Sequence, residues 1–217
     1  MNKIKNLSFL GICLAFIVIA LGAWTRLVDA GLGCPDWPGC YGFVVFPINE
    51  TDIAIAESLY PEFPYDINKA IPEVVHRYFA AALGLFAIFL VYLSFKQNEN
   101  KNIRLWTIGL LIFICCQGVF GYLTVSLKLL PIIVTGHLFG GFTTLTLFFY
   151  IFLMSKLWFT NAAPLASTLG ILLITQISLG IINVVYVLPL YVAIAHNLVA
   201  ATLLLTIFTI NYLAWKK

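Results

Sequence analysis

The stretch "QGVFGYLTVSLKLLPIIVTGH", residues 117–137, recurs without a gap as "QISLGIINVVYVLPLYVAIAH", residues 176–196. Each copy contains an apolar stretch, a short Leu-Pro turn and a second apolar stretch with a histidine near its beginning. Pro131 and Pro189 suit the first turn of a helix, where a missing N–H costs no hydrogen bond. A repeat of this kind predicts two copies of one helical hairpin.

The rest of the chain is apolar enough for a membrane protein. Of its 217 residues 62% are hydrophobic and 10% are charged, which excludes a soluble protein. A membrane span needs about 20 apolar residues. The candidate spans are residues 7–25, 74–95, 105–126, 131–154, 166–187 and 189–213. We predict an all-α integral membrane protein with six transmembrane helices in a bundle built from repeated helical hairpins.

The first two spans form a looser hairpin, in which loop 29–71 replaces the tight turn. Pro72 is expected to begin the second helix of this hairpin. The loop carries acids and aromatic residues, and we expect it to pack over the outer end of the bundle as a lid. In the repeated hairpins, Gln117 and Gln176 are interpreted as polar contacts between helices, with simple helix formation as the alternative.

Basic residues predict the orientation. With the N-terminus inside, eight of the 12 Lys and Arg residues lie in inner segments, and the outer side holds Arg26, Lys69, Arg77 and Lys128. This distribution follows the positive-inside rule and places both termini in the cytoplasm. We therefore expect a multi-pass protein of the bacterial inner (plasma) membrane, with loop 29–71 on the periplasmic side, surrounded by membrane lipid and with no nucleic-acid partner.

The three histidines of the chain are all predicted near the outer ends of helices. His76, His137 and His196 follow the nearest proline by four to seven residues, which places them about 6–11 Å below the helix ends. Taken singly, each could be a hydrogen-bonded packing residue. Three at one depth indicate a site, because ionisable groups within a bilayer are costly. Neutral imidazoles on facing helices suit axial ligation of a haem iron, and neighbouring small residues leave room for a macrocycle or serve helix packing.

Charged groups flank the first histidine. Glu73 lies one turn before His76 and is expected on the same helix face, where it could accept protons or stabilise positive charge. The alternative is a carboxylate matched to the dipole of the helix N-terminus. Arg26 and Arg77 lie at the outer rim, where a guanidinium can bind haem propionates or lipid headgroups.

Two cysteines are close together in "LGCPDWPGCYG", residues 32–42. Cys34 and Cys40 face an oxidising compartment if the loop is periplasmic, so a disulfide is expected. The bond could simply stiffen a Pro-rich turn, or it could be redox-active.

The chain resembles the haem A synthase family, the CtaA-type membrane enzymes that oxidise haem O to haem A for cytochrome oxidase. The resemblance rests on "TRLVDAGLGCPDWPGCYG" at the end of the first span, on "PEVVHRYFAAALGL" opening the second, and on the two repeated hairpins. It implies that His76 and His137 form the axial pair of the substrate haem. It further implies that Glu73 is the catalytic carboxylate of an E-x-x-H-R motif and that Cys34 and Cys40 are the family's outer-loop pair.

The chain also departs from the family pattern. The family fold has eight helices in two pseudosymmetric four-helix halves, each binding a haem between histidines of its second and fourth helices. Here one hairpin is missing, with a junction near residues 156–166. We therefore expect a haem-binding half at residues 1–155 and a remnant hairpin at residues 156–217. His196 matches a ligand of the second haem, a haem b site whose other ligand is absent.

These observations predict a haem O oxidoreductase that converts the C8 methyl group of haem O to a formyl group. Haem is both substrate and expected cofactor. Haem O synthase, cytochrome oxidase assembly proteins and a second copy of the chain are the expected protein partners. One alternative is a non-catalytic bis-histidine haem protein for electron transfer or oxidase assembly. Another is a thiol–disulfide enzyme that uses Cys34 and Cys40.

Overall fold

The computed structural model describes residues 3–155 and 163–215, and the regular elements in these two ranges are helices. They are α1 Lys3–Leu27, α2 Glu50–Leu59, α3 Ile67–Lys96, α4 Lys101–Ser126, α5 Pro131–Ser155, α6 Ala163–Val185 and α7 Leu190–Trp215. All except α2 are long and apolar enough to cross a membrane, so the described residues contain the six spans predicted from the sequence. Residues 156–162, which include most of the predicted junction, lie outside the described ranges.

Helix α3 begins earlier than expected. Its first residue is Ile67, so Pro72 lies inside the helix and does not open it. The side chain of Asp66 caps the helix by accepting the Asn68 N–H at 2.9 Å. Pro72 cannot bond the carbonyl of Asn68, which lies in the exposed first turn. Water can satisfy that carbonyl there, so the proline is tolerated.

The segment between α1 and α3, residues 28–66, is a folded unit that we call the cap. It contains α2, which the sequence did not predict and which begins where the Asn49 side chain accepts the Asp52 N–H at 2.8 Å. The cap has its own apolar core. At its centre, the buried ring of Tyr41 makes edge contacts with Tyr60 and Tyr65. The expected lid is therefore present as an ordered unit, and we call the end of the bundle that carries it the loop end.

The backbone confirms the repeated hairpins. In the turn after α4, Lys128 and Leu129 both have positive φ, and the N–H of Leu129 donates to the carbonyl of Thr124 at 2.8 Å. The turn after α6 has positive φ at Val187 and Leu188, with the equivalent hydrogen bond also at 2.8 Å. Such a bond satisfies a helix-terminal carbonyl internally.

Helix α1 ends in the same way. The N–H of Ala30 donates to the carbonyl of Thr25 at 2.9 Å, and Asp29 has positive φ. The α1–α3 pair is therefore a third copy of the hairpin, with the cap inserted after its turn.

Helices α1, α3, α4 and α5 form a four-helix ring. Within the hairpins α1 packs on α3 and α4 on α5; between them α1 packs on α5 and α3 on α4. The two hairpins are therefore related by a pseudo-two-fold axis, which superposes α1 on α4 and α3 on α5. Helix α7 packs on the outside of the ring, mainly against α1. Among the described residues, α6 packs on α7 and on no other helix.

Candidate functional site

His76 of α3 and His137 of α5 face each other inside the four-helix ring. Their ring centres are 6.3 Å apart and their planes are nearly perpendicular, at 87°. The two helices belong to different hairpins, so the pseudo-two-fold relation of the ring brings the two histidines to one level. Among the described residues, the Nδ1 atom of each ring is buried and has no hydrogen-bond partner. The structure thus brings together the pair that the sequence proposed.

The spacing of this pair fits a six-coordinate haem iron. An imidazole nitrogen binds a transition-metal ion at about 2 Å, which puts the ion about 3 Å from the ring centre. Two imidazoles on opposite sides of one iron then have centres about 6 Å apart. The observed 6.3 Å agrees with that value.

Each histidine rests against a glycine of the preceding helix. A Cβ atom added to Gly22 of α1 would lie 2.9 Å from Cε1 of His76. Cβ atoms on Gly121 and Gly180 would lie 3.4 Å from Cε1 of His137 and His196. The three glycines occupy equivalent places in their helices. Each lies three residues before the residue whose carbonyl accepts the hydrogen bond of the turn that follows the helix. The gapless repeat matched only two of them, and Gly22 was missed.

Gln117 makes the polar interhelical contact that the sequence suggested. Its amide nitrogen donates to the main-chain carbonyl of His137. A Cβ atom on Gly140 would overlap the Gln117 side chain. Gly140 therefore makes room for a glutamine, a more specific role than the macrocycle or helix packing predicted for the small residues near His137.

His196 has a different environment from His137, although the two are repeat equivalents. The Gln176 amide nitrogen lies 3.0 Å from Nε2 of His196, where it can donate to a neutral ring. Among the described residues, no second histidine approaches this ring in the way that His76 approaches His137. The α6–α7 hairpin thus presents a single histidine whose Nε2 is covered by its own glutamine.

The carboxylate of Glu73 connects α3 to the cap. Glu73 is buried, at 3% exposure. One oxygen accepts a hydrogen bond from Arg77 within an ion pair, and the other accepts the Cys34 N–H at 2.9 Å. The first contact lies within α3 and the second is made to the cap, so the carboxylate binds the loop beside the His76 site.

Arg77 and the disulfide complete this connection. The guanidinium of Arg77 donates to main-chain carbonyls of Asp36 and Gly39 in addition to Glu73. Cys34 and Cys40 form the disulfide that the sequence predicted. Glu73 and Arg77 of α3 therefore both bind the short ring that the disulfide closes.

Two residues of the cap escaped the sequence reasoning. Asp36 accepts the N–H groups of Tyr41 and Gly42, at 2.6 and 2.9 Å, and so ties the disulfide ring to the residues that follow Cys40. The phenol of Tyr41 donates to the carbonyl of Pro64 at 3.2 Å. Burial raises the pKa of the Tyr41 phenol above its ordinary value, with nearby acidic groups adding to the shift. The spacing of "CPDWPGCYG" is the signal that could have identified this turn.

Arg26 is exposed in the last turn of α1. It follows Gly22 by four residues and therefore lies on the same face of α1, one turn closer to the loop end. Thr25 beside it donates to the carbonyl of Pro72 at 3.0 Å and fixes α1 against α3. Arg26 and Arg77 were the two predicted ligands of haem propionates. Arg77 is hydrogen-bonded to the cap, whereas Arg26 lies on the loop-end side of the histidine pair.

A cavity in the described part of the chain lies away from the histidines. It has a volume of about 690 Å³ and lies between the other ends of α4, α5 and α7, where Trp106, Tyr150 and Trp215 line it. None of the three histidines contributes to its wall. The histidine pair therefore defines the candidate site by its own geometry.

Comparison with known proteins agrees with the geometry. The family model COX15-CtaA, described as "Cytochrome oxidase assembly protein", matches residues 5–166 and 149–208. "Heme A synthase" of Shewanella oneidensis is 40% identical over 173 residues, which are 76% of this chain and 52% of that protein. "Heme A synthase" of Allorhizobium ampelinum is 29% identical over 124 residues, 51% of this chain and 34% of the relative.

A third relative is similar over a comparable length. "Heme A synthase" of Lysinibacillus sphaericus is 26% identical over 117 residues, 53% of this chain and 33% of the relative. The chain spans about half of the Shewanella protein and about a third of the other two. No solved structure matches the chain. Since the two family matches together extend over residues 5–208, the chain belongs to the COX15-CtaA family of cytochrome oxidase assembly proteins, the haem A synthase family that its motifs predicted.

Proposed function

We propose that the chain acts in haem A biosynthesis and oxidises the C8 methyl group of haem O to a formyl group. The observation that carries this proposal is the facing pair His76 and His137, 6.3 Å apart inside the ring. The names of the relatives support the same reaction. A bacterial inner membrane with the cap on the periplasmic side is the location that agrees with the basic residues.

In this proposal haem O is the substrate, and His76 and His137 hold its iron. Their fixed separation orients the macrocycle across the ring of helices, and Gly22 and Gly121 let the imidazoles approach the neighbouring helices. Arg26 binds a propionate, because it lies one turn above Gly22 and its guanidinium can fork onto a carboxylate. Arg77 instead holds the cap over the site.

The reaction consists of two successive oxidations of one carbon. Each removes two electrons and two protons while a water oxygen joins the carbon, giving first a hydroxymethyl group and then a hydrated aldehyde. Loss of water leaves the formyl group. The four electrons leave for an oxidant outside the substrate site, and a haem b held by His196 would relay them one at a time.

Glu73 contributes charge stabilisation at the edge of this site. An ion-paired, hydrogen-bonded carboxylate is pre-organised, so it can stabilise positive charge that develops on the substrate without first being reoriented. Its contacts with Arg77 and with the Cys34 N–H stabilise the ionised carboxylate, and therefore favour electrostatic stabilisation over proton acceptance. Cys34 and Cys40 then serve to order the loop that positions this carboxylate.

The domain organisation follows from the same proposal. Residues 1–155 form the substrate half with its cap, and residues 156–217 contain a single hairpin of the second half. Haem O synthase supplies the substrate in this proposal because its product is haem O, and cytochrome oxidase assembly proteins receive the haem A.

The alternative function is a bis-histidine haem protein that transfers electrons or assists oxidase assembly without altering haem O. The observation that favours it is the single histidine of α6–α7, which leaves the second haem site with one ligand per chain. A thiol–disulfide enzyme is the less supported alternative, since Cys34 and Cys40 are both buried.

Incubation of the purified protein with haem O, followed by mass analysis of the extracted haems, distinguishes these functions. We expect the hydroxymethyl and formyl products with the native chain, a loss of about 100–1,000-fold in rate for Glu73→Gln, and retained haem binding in that variant. Glu62→Gln, the same acid-to-amide change at an exposed residue of the cap, is the matched control and should leave the rate unchanged. Normal conversion by Glu73→Gln would exclude the proposed role of the carboxylate, and haem binding without any product would favour the alternative.

A further inference from the structure

The four-helix ring has two gaps between its hairpins, one between α1 and α5 and one between α3 and α4. The pseudo-two-fold axis exchanges these gaps, because it superposes His137 on His76 and Gly121 on Gly22. Equivalent positions of the two gaps can therefore be compared residue by residue.

Two turns below the histidines, away from the loop end, both gaps are closed by one large and one small residue. Between α3 and α4, a Cβ atom added to Gly84 would lie 3.7 Å from Ile114. The axis relates these two positions to Leu145 of α5 and Ala15 of α1, and both residues are buried in the core. The sizes are exchanged between the two gaps, and neither gap is open at this level.

One turn nearer the histidines, the gap between α3 and α4 is open. Ala80 precedes Gly84, and Gly118 follows Ile114, by one turn on the same helix face. Gly118 is exposed, and a Cβ atom added to it would have no neighbour within 4 Å among the described residues. Ala81 is exposed as well. We call the place lined by Ala80, Ala81 and Gly118 the opening.

The equivalent place between α1 and α5 is filled. It is lined by Gly141, Phe142 and Ile19, which the axis relates to the three residues of the opening. The Ile19 side chain lies 3.9 Å from the position of a Cβ atom added to Gly141, and both Ile19 and Phe142 pack against the core. Helix α7 covers this gap from outside. The opening therefore departs from the symmetry of the ring.

The opening leads sideways toward lipid. Exposed apolar residues lie on the outer faces of both its helices, namely Leu85, Ile88 and Val119. At the loop end, Trp37 of the cap contacts Tyr122, which follows Gly118 by one turn, with ring centroids 5.7 Å apart. The cap thus bounds the opening at the loop end, and a molecule in the opening would extend into the apolar part of the membrane.

A long apolar substituent of a ligand at the histidine pair has no room within the ring. The Nδ1 atoms of His76 and His137 are buried without a hydrogen-bond partner among the described residues, as expected where a ligand is to bind. Below the pair, the interior is filled by buried side chains, among them Leu83, Leu110 and Phe148. Such a substituent must therefore leave between helices, and the opening lies one turn from His76.

Haem O carries a substituent of this kind. Its isoprenoid tail and its two propionates lie on opposite edges of the macrocycle. With axial ligands on α3 and α5, the macrocycle extends between the other two corners of the ring, α1 and α4. Arg26 of α1 holds the propionate edge in the proposed function, so the tail edge faces α4 and the opening beside Gly118.

We propose that the tail of haem O passes between α3 and α4 through the opening into the lipid, and that Gly118 determines specificity for a haem with this tail. The inference rests on haem O as the proposed substrate, but it concerns binding of the tail and not oxidation of the methyl group. Protohaem has no such tail, so its affinity does not depend on the opening.

Filling the opening tests the proposal. Gly118→Ile introduces the residue that the equivalent place already has. Each purified variant is titrated with haem O and with protohaem, in the His196→Ala background so that only the ring site binds. The affinity for haem O should fall by about tenfold or more, because the added methyl groups occupy the path of the tail. The affinity for protohaem should stay within about twofold of the native value.

Gly109→Ile is the matched control. Gly109 is also exposed on α4, and a Cβ atom added to it would have no neighbour within 4 Å among the described residues. The variant therefore has the same change in helix propensity away from the opening and should leave both affinities unchanged. Ala81→Phe fills the opening from α3, as Phe142 fills the equivalent place, and should reproduce the selective loss.

Equal affinities of Gly118→Ile and Gly109→Ile for haem O would overturn the proposal. Equal losses for haem O and protohaem in both Gly118→Ile and Ala81→Phe would also overturn it, because the substitutions would then act on the macrocycle or on the fold. Failure of the proposed function gives a different result. A native chain that binds haem O with this selectivity but makes no haem A would refute the oxidation and leave the path of the tail intact.

Discussion

The contact between Gly22 and His76 gives the sharpest test of the proposed substrate site. A methyl group at Gly22 would lie 2.9 Å from Cε1 of His76, whereas carbon atoms in favourable contact are about 3.5–4.0 Å apart. In Gly22→Ala the ring must therefore retreat by at least about 0.5 Å. His76 is then displaced relative to His137, and one of the two iron bonds is weakened.

Displacing a residue that positions a metal ligand typically costs about 10–100-fold in affinity. For Gly22→Ala we expect the lower end, a loss of about tenfold, which corresponds to about 1.4 kcal/mol. Alanine is also favoured over glycine in a helix by about 1 kcal/mol. That gain is shared by Gly118→Ala, where an added Cβ atom has no neighbour within 4 Å among the described residues. The difference between the two variants therefore isolates the steric effect on His76.

The assay is an absorbance titration of each purified variant with protohaem, in a His196→Ala background so that only the ring site binds. Gly121→Ala, whose Cβ atom would lie at an ordinary 3.4 Å from His137, should resemble Gly118→Ala. Equal haem affinity for Gly22→Ala and Gly118→Ala would refute the view that the α1 backbone positions His76 for iron.

Three further predictions concern the cap. Arg77→Lys should weaken the attachment of the cap to α3, because a lysine cannot donate in a fork to Glu73 and to the loop carbonyls together. Amide hydrogen exchange should become faster in the cap and stay slow in the spans. An equal increase in the cap and in the spans would contradict this prediction. Replacing Cys34 and Cys40 with serine should destabilise the cap by about 2 kcal/mol, which is the loop-closure entropy that so short a disulfide ring removes from the unfolded chain. Proteolysis of the loop should become faster, and an unchanged rate would argue against this contribution. Folding raises the pKa of the Tyr41 phenol. The stability of the cap should therefore be independent of pH below the ordinary tyrosine pKa of about 10 and should fall as the pH rises above it. Tyr41→Phe should remove this fall in thermal unfolding, and a fall of the same size in that variant would assign it to another group.

Much of the bundle could be predicted because its signals are local. Span length, the repeated Leu-Pro turn and the histidine positions all follow from short stretches of sequence. The predicted start of α3 is wrong because the prediction places Pro72 in the first turn of the helix. Pro72 instead lies in the second turn, where the carbonyl that it leaves unbonded belongs to the exposed first turn. Helix α2 was missed because its cap signal, Asn49 followed by Asp52, lies within a stretch read as loop.

The candidate site was harder to predict where it depends on distant residues. The Glu73 carboxylate was expected to face the same side as His76, and its binding to Cys34, 39 residues away, could not be read from helix periodicity. Gly22 was missed for a related reason. Its equivalence to Gly121 is hidden by the cap, which prevents a gapless comparison of the first hairpin with the others.

The left-handed turns after α4 and α6 have a consequence for how the protein sits in bilayers of different thickness. Their terminal carbonyls are satisfied within the turn, and Leu129 and Leu188 at their tips are apolar. Neither turn therefore needs water or headgroups to complete these hydrogen bonds. Lys128 keeps the α4–α5 turn at the interface, whereas the α6–α7 turn has no charged residue and can sink below the interface at little cost. In a thick membrane the α6–α7 hairpin can accommodate hydrophobic mismatch by immersion at its turn, without tilting the helix that holds His196.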